Sequence, residues 1–379
     1  NNKIMWNKLK KLFNKHDNCS DCSGKNGPTK FYKNIEKNKK LIKKHFKDVE
    51  DLKSRNIIIS SQNNSTETKC VLFYFQSLVE EDLINGKVIQ PIMMEQREAN
   101  FNLGTGKELF KNLYDKVITI NTVKKMSGVE DTLEALLSGF TVLFVDGVSE
   151  VYSLGTQGWQ ERAMSPPQVE RSVRGPKISL MENLQINLGS IRRYIKSDKL
   201  KIQYFNIGEY SRTRMAVAYL EGVANEQIVK EVKKRIKSIN VANLNGCTHV
   251  MELIEDNPTS LFETIYETER VDVITAGIME GRVAIVTDGC PTALLAPKLF
   301  MENFVSPEDY YNRFWYTMAI RYVRFTGFLI STMLPAIYIA VLSFHQEVLP
   351  LTLVRTIYTA REGVPFPIII EMLIFLFFF

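Results

Sequence analysis

The most constraining feature of this sequence is a run of twenty residues, Phe325 to Phe344, without a charged side chain. As an α-helix such a run measures about 30 Å, the thickness of a bilayer's hydrocarbon core. Arg321 and Arg324 precede it, and His345 and Glu347 follow it. A buried helix of a soluble protein is the alternative, but such helices rarely stay uncharged over this length with cations at one end. We therefore expect a transmembrane helix here.

The basic charge of the chain is concentrated at its start. The net charge is +6, and residues 1–47 alone hold fourteen lysines against three acidic residues. Within residues 4–13 the apolar side chains recur at helical spacing between lysines, which would let this basic arm lie on anionic membrane lipid. A solvated, partly disordered arm is the alternative. Nucleic acid is not an expected partner, because no aromatic-interleaved basic face or binding motif accompanies the lysines.

No apolar run of the signal-peptide type opens the sequence, and arginines precede the membrane helix. Both features favour a cytosolic position for the long N-terminal part. The cysteine pattern agrees, since five cysteines, an odd number, argue against a disulfide framework. Cys19 and Cys22 form a C-x-x-C, which can be a redox pair or half a zinc site, but its polar surroundings favour an incidental spacing.

The body between the arm and the membrane helix mixes strand and helix patterns. The predicted elements are a lysine-rich helical pattern over 31–53, where the folded body begins, buried strands over 70–75 and 141–145, and helices from Glu80 and over 130–137. A segment rich in Gly, Pro and charge, 155–177, marks a domain boundary.

The same pattern occurs twice along the chain. Residues 71–84 align with 216–229, and residues 136–147 align with 278–289, in the same order and at nearly the same offset. Two matches of this kind indicate an internal duplication. The second segment of each copy ends in Asp-Gly, which is typical of a hairpin with a type I′ turn. The expected fold is an α/β soluble region of two related mixed α/β subdomains, followed by α-helical transmembrane segments.

The predicted organisation is a basic N-terminal arm (1–50), a first α/β subdomain (51–160), a linker (161–177), a second α/β subdomain (178–305), a juxtamembrane segment (306–324), the transmembrane helix (325–344), and a loop with a second hydrophobic segment (345–379).

No catalytic, cofactor-binding or metal site is predicted, and we expect the chain not to be an enzyme. The Gly-Thr-Gly-Lys run ending at Lys107 lacks the earlier Gly and the following Ser or Thr of a Walker A loop. The four histidines are not at metal-ligand spacing from one another or from cysteine. The aspartates of the Asp-Gly pairs could bind a metal ion, but turn chemistry accounts for them.

Several short motifs resemble the A subunit of the GerA family of spore germinant receptors, in family order over residues 70–372. The residues that carry the resemblance are Arg174, Gly175, Pro176, Glu221, Gly222, Asp288, Gly289, Pro291, Pro307, Glu308, Asp309, Tyr310, Arg361, Glu362 and Gly363. Cys290, and Thr292 where the family more often has a bulky apolar residue, depart from the pattern.

The resemblance implies an A subunit that assembles with a transporter-like B subunit, a lipoprotein C subunit and further A subunits. The complex would lie in the inner membrane of the spore, with the soluble N-terminal part on the cytosolic, or core, side. It further implies that small nutrients trigger the complex, that the A subunit forms the pore, and that ion release begins germination.

The end of the sequence departs from the family pattern. Family members continue past the position of Met372 through further membrane helices and a cytosolic tail, whereas this sequence ends at Phe379. From Val364 the apolar run is 16 residues, interrupted by Glu371, or about 24 Å as a helix, which is too short to span alone. Asn1 is also not an initiator methionine. We therefore expect a truncated copy.

Two residues of the hydrophobic segments are candidates for gating. Pro335 interrupts the hydrogen bonds of the membrane helix, so it could form a gating kink or a fixed packing kink. Glu371 is either a pore-facing carboxylate or an interfacial residue of a membrane-surface helix.

Three classes of function are open from the sequence. The leading one is the germinant-receptor subunit. The alternative is a membrane-anchored module, which binds a small molecule if polar residues converge between the subdomains, or acts as a scaffold if that junction is apolar. An enzyme would need a catalytic cluster around His249 or Cys247.

Overall fold

The computed structural model describes residues 30–60, 67–95, 106–158, 167, 169–244, 246–257, 259–260, 262–361, 363 and 366–378. The amphipathic segment and the C-x-x-C pair lie outside the described residues. The chain forms two compact units. The first consists of residues 1–171 and 177–298, and the second of residues 172–176 and 299–379.

The first unit contains two five-stranded sheets, each built from consecutive parts of the chain. The elements of the first are α1 (Ile35–His45), β1 (Leu52–Ser60), β2 (Glu67–Phe75), α2 (Glu81–Ile84), α3 (Gln90–Glu95), α4 (Lys107–Asn112), β3 (Val123–Met126), α5 (Val129–Leu137), β4 (Thr141–Val145) and β5 (Val151–Leu154). Five-residue π-helical segments follow α2 and α4. The strand order is β1-β2-β4-β5-β3, and every neighbouring pair is antiparallel.

The second sheet repeats this arrangement. Its elements are α6 (Leu184–Tyr194), β6 (Leu200–Ile207), β7 (Thr213–Leu220), α7 (Glu226–Ser238), α8 (Cys247–Ile254), β8 (Tyr266–Thr268), α9 (Val271–Met279), β9 (Val283–Thr287) and β10 (Ala293–Ala296). The order β6-β7-β9-β10-β8 is that of the first sheet, again with antiparallel neighbours. This confirms the predicted pair of related mixed α/β subdomains. Their exact bounds remain a prediction.

Both faces of each sheet are covered, which explains the uninterrupted apolar runs. Leu72 and Leu143 belong to the hydrophobic cluster on one face of the first sheet, whereas Phe73 and Phe144 belong to the cluster on the other. Because side chains alternate along a strand, a strand buried on both faces needs apolar residues at every position.

Helix α1 is part of the folded core, where the helical pattern over 31–53 predicts the folded body to begin, although this helix overlaps the predicted basic arm, 1–50. Phe31, Ile35, Ile42 and Phe46 are buried in the cluster that covers one face of the first sheet. Phe31 packs edge-on against Phe144, with ring centroids 5.0 Å apart. The lysines of this helix occupy its solvent-facing side, as amphipathic spacing requires.

The predicted type I′ turns at the Asp-Gly pairs are wrong. Such a turn needs positive φ at both central residues. Here φ is positive at Gly147 (86°) and Gly289 (79°) but not at the aspartate before either glycine. In the first sheet Phe144 pairs with Val151, so the connection is longer than a two-residue loop.

The two aspartates bind the start of a helix instead. Asp146 Oδ1 accepts a hydrogen bond from the Ile35 N–H (3.0 Å), and Asp288 Oδ1 accepts one from the Leu184 N–H (3.1 Å). The glycine after each aspartate donates its N–H to the chain just before the same helix, over 2.9 and 2.7 Å. A carboxylate at this position satisfies a free helix N–H and complements the helix dipole. Each Asp-Gly pair therefore ties the end of a central strand to a helix N-terminus.

Two buried asparagines extend the duplication upstream of the aligned segments. Asn38 and Asn187 occupy the same position in α1 and α6, and both are almost fully buried. Each side chain bonds the N–H and the C=O of the residue six places earlier, over 2.8 and 2.6 Å for Asn38 and over 2.8 and 2.5 Å for Asn187. Each asparagine thus holds the chain that enters its helix.

The second unit is helical in its described part. It contains 3₁₀ segments at Phe300–Phe304, Pro307–Tyr311 and Gln346–Val348, and the helices α10 (Phe314–Phe344), α11 (Leu351–Ala360) and α12 (Ile368–Phe378). Helix α10 has 31 residues and is long and apolar enough to cross a membrane. Only 6% of its most apolar segment is buried within the described structure. The predicted transmembrane helix lies within it. Helix α10 is a candidate membrane span, and it begins before the predicted span, so the arginines at 321 and 324 are helical.

We expect Asp288→Ala to lower the free energy of unfolding by about 1 kcal/mol, because it removes a hydrogen-bonded helix cap. Asp288→Asn keeps an oxygen acceptor and should lose less. Urea unfolding of the purified chain in detergent micelles, followed by circular dichroism, measures both. Glu252→Ala removes a carboxylate from an exposed position of α8 and is the control. Equal losses for Asp288→Ala and Glu252→Ala would contradict the capping role.

Candidate functional site

A buried carboxylate lies at the base of α10 in the second unit. Asp309 is in the 3₁₀ segment Pro307–Tyr311, and its side chain is 2% exposed. Its Oδ2 accepts hydrogen bonds from Arg321 Nε (3.1 Å) and Arg324 Nη1 (2.9 Å), which lie about one turn apart on α10. The same oxygen accepts the Ser306 N–H (3.1 Å), which completes a capping box. One carboxylate therefore fastens the turn to the helix.

Further contacts join the same two elements. Thr317 Oγ1 donates to the Asp309 carbonyl oxygen (2.9 Å), and the Arg321 guanidinium lies 5.5 Å from the centre of the Tyr310 ring. Arg324 Nη1 also donates to the Phe304 carbonyl oxygen (3.2 Å). Both side-chain and backbone bonds thus tie the turn to the first turns of α10, so we expect the turn and the start of α10 to move together.

The short segment 172–176, which carries the Arg-Gly-Pro motif, contacts this turn. The Val173 N–H donates to Glu308 Oε1 (2.6 Å), and Arg174 Nη1 donates to Asn312 Oδ1 (3.0 Å). Gly175 has a φ of 108°, and a Cβ added to it would lie 2.6 Å from the Tyr311 ring. Only glycine fits this approach without a shift of the ring. Two motifs that are 135 residues apart in the sequence therefore meet.

We call these residues the turn–helix cluster: segment 172–176, residues 306–312, Arg321 and Arg324. The chain passes between the two units after residues 171, 176 and 298. Segment 172–176 is joined to the first unit at both of its ends, and residues 306–312 follow the third passage. The cluster is therefore bonded, through the backbone, to the first unit on one side and to α10 on the other.

The two gating candidates lie in the hydrophobic helices of the same unit. Pro335 is inside α10, which continues past it to its end at Phe344. Glu371, on α12, accepts a hydrogen bond from Arg361 Nη2 (2.5 Å). Arg361 belongs to the Arg-Glu-Gly motif, of which Gly363 has open space around its Cα, and Glu362 is outside the described residues. The gating and packing hypotheses for these residues remain predictions.

The other motif residues lie in the first unit. Glu221 pairs with the buried Lys201, with Oε2 and Nζ 3.1 Å apart, and Gly222 after it has a φ of 83°. The Asp-Gly pair at 288–289 ties β9 to α6, as described above. Pro291 is exposed in the loop before β10.

A buried ion pair joins the two subdomains of the first unit. Arg192 Nε and Nη2 donate to the two carboxylate oxygens of Asp51 over 2.5 and 2.7 Å, and both side chains are at most 1% exposed. The guanidinium stacks on the Phe75 ring at 4.3 Å, and Ser77 Oγ donates to Asp51 over 3.2 Å. Two-point pairing of this kind fixes the relative position of both partners.

Backbone contacts continue the same junction. The Glu50 N–H donates to the Ile202 carbonyl oxygen (3.1 Å), and Glu50 Oε2 accepts the Tyr204 N–H (2.9 Å). A Cβ at Gly189 would lie 2.2 Å from the Ser77 carbonyl oxygen, so α6 approaches the first sheet more closely than a side chain would allow. Burial, with a smaller effect of the Asp51 charge, raises the pKa of Tyr204 to about 12, so its hydroxyl stays neutral.

A polar cleft opens beside this junction. Its volume is about 630 Å³. It is lined by Gln76, Ser77, Leu78, Val79, Glu80, Glu81, Asp82, Gly158, Asn183, Gln185, Ile186, Gly189, Ser190 and Arg193. Three carboxylates and one guanidinium thus line one cleft between the sheets. This is the convergence of polar residues expected of a binding module.

Sequence reasoning missed the residues that hold these sites together. Asp51 and Arg192 are single charged residues in unrelated segments, and their pairing depends on how the two sheets meet. The arginines at 321 and 324 are visible in the sequence only as charges before a membrane helix. Asp309 was identified through a family motif, but its role became clear only from its contacts with α10. Among the described residues, no group of three or more His, Cys, Asp or Glu could hold a metal ion.

Comparisons with known proteins agree on one family. The family model described as Bacillus/Clostridium GerA spore germination protein matches residues 40–379. The chain is 34% identical over 349 residues to spore germination protein KA of Bacillus subtilis (strain 168), covering 92% of this chain and 62% of that protein. It is 32% identical over 303 residues to the uncharacterized membrane protein YfkQ of the same organism, covering 80% of this chain and 58% of that protein.

A solved structure resembles the first part of the chain. It is the crystal structure of the N-terminal domain of the A subunit of the Bacillus megaterium spore germinant receptor GerK3. The TM-score is 0.55 and the identity 28%, and the match covers 73% of this chain and 99% of that chain. This chain therefore spans less than two thirds of each curated relative named above, but nearly all of this solved domain.

We expect Asp51→Ala to lower the free energy of unfolding by about 3–5 kcal/mol, because Arg192 would be left as a buried, unpaired charge. The double variant Asp51→Leu with Arg192→Met should recover most of that loss, since it removes both charges. Urea unfolding in detergent micelles measures all three chains. Glu226→Ala, which breaks the exposed Glu226–Lys230 pair, should stay within about 0.5 kcal/mol. A double variant no more stable than Asp51→Ala would contradict this account.

Proposed function

The chain belongs to the GerA family of spore germination proteins, and we propose that it acts as the A subunit of a nutrient-sensing germinant receptor. In this role it couples nutrient detection to ion release and the start of germination. The family match supports a part in spore germination, and the fold of the first unit is shared with a receptor A subunit. The observation that carries the finer proposal is the Asp309 carboxylate, which fastens the Pro307–Tyr311 turn to a candidate membrane helix.

In the proposed mechanism, the turn–helix cluster transmits movement to the membrane. A rearrangement that displaces segment 172–176 acts on the 306–312 turn through the hydrogen bonds of Val173 and Arg174. One that displaces the chain after residue 298 acts on the same turn through the backbone. Because Asp309 binds two arginines of α10, the helix must follow the turn or lose a buried ion pair. Losing that pair leaves a buried carboxylate without its partners, which is costly. The cluster therefore favours joint movement over separation.

We further propose that the chain assembles with a transporter-like B subunit, a lipoprotein C subunit and further A subunits. The complex would lie in the inner membrane of the spore, with the N-terminal part on the core side. The exposed apolar surface of α10 supports contact with lipid or with partner helices. The arginines at 321 and 324 support an N-terminal part on the inside. Ion release is proposed for the full-length receptor, because this chain spans 62% of protein KA.

The test introduces Asp309→Ala into a full-length receptor that contains this segment, in spores. We expect the nutrient concentration that gives a half-maximal response to rise about 5–150-fold, since losing a coupling free energy of about 1–3 kcal/mol weakens an affinity by about that factor. Loss of spore refractility and release of ions are the measurements, and immunoblotting confirms that the receptor is present.

Glu347→Ala is the matched control, because it removes an exposed carboxylate just after α10. Exchanging the charges, with Asp309→Arg and Arg324→Asp together, should restore part of the response. A normal nutrient response of Asp309→Ala spores with normal receptor levels would rule out the transmission role.

The alternative function is a membrane-anchored module that binds a small molecule in the polar cleft. The observation that favours it is the mixed charge of the lining, with Arg193 on one side and Glu80, Glu81 and Asp82 on the other. A guanidinium binds carboxylates and a group of carboxylates attracts ammonium, so this lining suits a small zwitterion such as an amino acid. This reading keeps the fold and the membrane helix but does not need ion conduction.

We expect saturation-transfer NMR with the purified chain to detect binding of free amino acids, and Arg193→Ala to weaken it at least about tenfold, since a charge-assisted hydrogen bond contributes about 1.5–3 kcal/mol. Lys196→Ala, an exposed cation just after α6, is the control. Equal binding by both variants would exclude this cleft. If none of the amino acids tested binds, the scaffold role of the junction is the interpretation that remains.

A further inference from the structure

Two cysteines of the second sheet lie against each other. Cys247 is the first residue of α8, and Cys290 lies in the loop that follows the Asp-Gly pair before β10. The Cys247 N–H donates to Cys290 Sγ over 2.8 Å. Both side chains are buried. These residues are 43 apart in the sequence, so only the fold brings them together.

The surroundings of Cys290 favour its thiolate. Hydrogen bonding to Cys247, through its side chain and its backbone N–H, lowers the pKa of Cys290, against the opposing effects of burial and of the Glu267 charge. The start of a helix adds positive potential at the same place. Cys247 shows the opposite change, since its hydrogen bond to Cys290 and its burial raise its pKa. One sulfur is therefore suited to attack, and the other keeps its proton.

Glu267 and Thr292 also lie at the cysteine pair. Glu267 Oε1 accepts a hydrogen bond from Thr292 Oγ1 (2.7 Å), and the Thr292 carbonyl oxygen accepts one from the Cys247 thiol (3.2 Å). Glu267 is the charged group that acts on Cys290. The residues on both sides of Cys290 are exposed, and Cys290 itself is 6% exposed.

We propose that Cys290 and Cys247 form an oxidisable pair that reacts with hydrogen peroxide and closes to a disulfide. The Cys290 thiolate attacks one peroxide oxygen, so that an S–O bond forms, the O–O bond breaks and hydroxide leaves. The Cys247 sulfur then attacks the resulting sulfenic acid. An S–S bond forms, the S–O bond breaks, and the departing hydroxide takes the Cys247 proton as water. Both sulfurs are oxidised and both peroxide oxygens are reduced.

The disulfide would tie the loop after β9 to the start of α8. That loop begins with Asp288, which holds the N-terminus of α6. Oxidation would therefore restrain the elements that organise the second sheet. Cys70 is the natural comparison within the chain, because it is buried and its pKa is raised to about 12, chiefly by that burial.

The test treats the reduced, purified chain in detergent micelles with hydrogen peroxide, blocks free thiols with N-ethylmaleimide and maps tryptic peptides by mass spectrometry. Cys247 and Cys290 fall in different peptides, 238–270 and 283–298. We expect these two peptides joined and two hydrogens lighter than their sum, while Cys70 stays alkylated. Without peroxide, iodoacetamide should label Cys290 at pH 7 on the order of tenfold faster than Cys70, with a rate that rises with pH.

Two variants separate the steps. In Cys247→Ser the sulfenic acid at Cys290 should persist and be trapped by dimedone, and in Cys290→Ser neither dimedone labelling of this pair nor the joined peptide should appear. Circular dichroism checks that both variants fold. Labelling of Cys290 no faster than that of Cys70 in the unsubstituted chain, or peroxide treatment without the joined peptide, would overturn the proposal.

Discussion

Asp309 is a carboxylate buried at the base of a long apolar helix, and a buried carboxylate is stable only when other groups compensate its charge. Here the charge of Asp309 is compensated by two arginines of α10 and by the Ser306 N–H, all of which donate to the same carboxylate oxygen. The arrangement constrains everything around it. The turn must stay close to α10, and segment 172–176 must contact the turn. Position 175 must be glycine, because a Cβ there would collide with the Tyr311 ring. The turn, α10 and segment 172–176 are thereby held together as three separate parts of the chain.

The sheets depend on a comparable constraint used twice. In each copy, a carboxylate and a glycine at the end of a central strand bind the N-terminus of the helix that opens the copy, and a buried asparagine holds the chain entering that helix. The Asp51–Arg192 pair then joins the copies. Because charges buried in this way tolerate little displacement, the junction has a defined geometry, and the polar cleft beside it has a defined shape.

Much of this could be predicted from the residues. Uninterrupted apolar runs revealed the strands at 70–75 and 141–145, because these strands are buried on both faces, and the recurrence of two segments revealed the duplication. The type I′ turns were wrong because Asp-Gly also suits a longer loop in which only glycine has positive φ and aspartate caps a distant helix. The Asp51–Arg192 pair and the meeting of Cys247 with Cys290 could not be predicted, since nothing local in the sequence marks contacts between elements so far apart. Asp309 stood out through its motif, but its bonds depend on α10 beginning earlier than the uncharged run.

The Asp-Gly ties also bear on the order in which the chain can fold. Ile35 and Asp146 are 111 residues apart, and Leu184 and Asp288 are 104 apart. The helix that opens each copy leaves the ribosome long before the carboxylate that caps it. Its N-terminus stays uncapped until almost the whole copy has been synthesised. Contacts of such long sequence separation slow folding. Each copy should therefore complete its fold in one step near the end of its own synthesis. The first copy can be complete before the second has begun to fold.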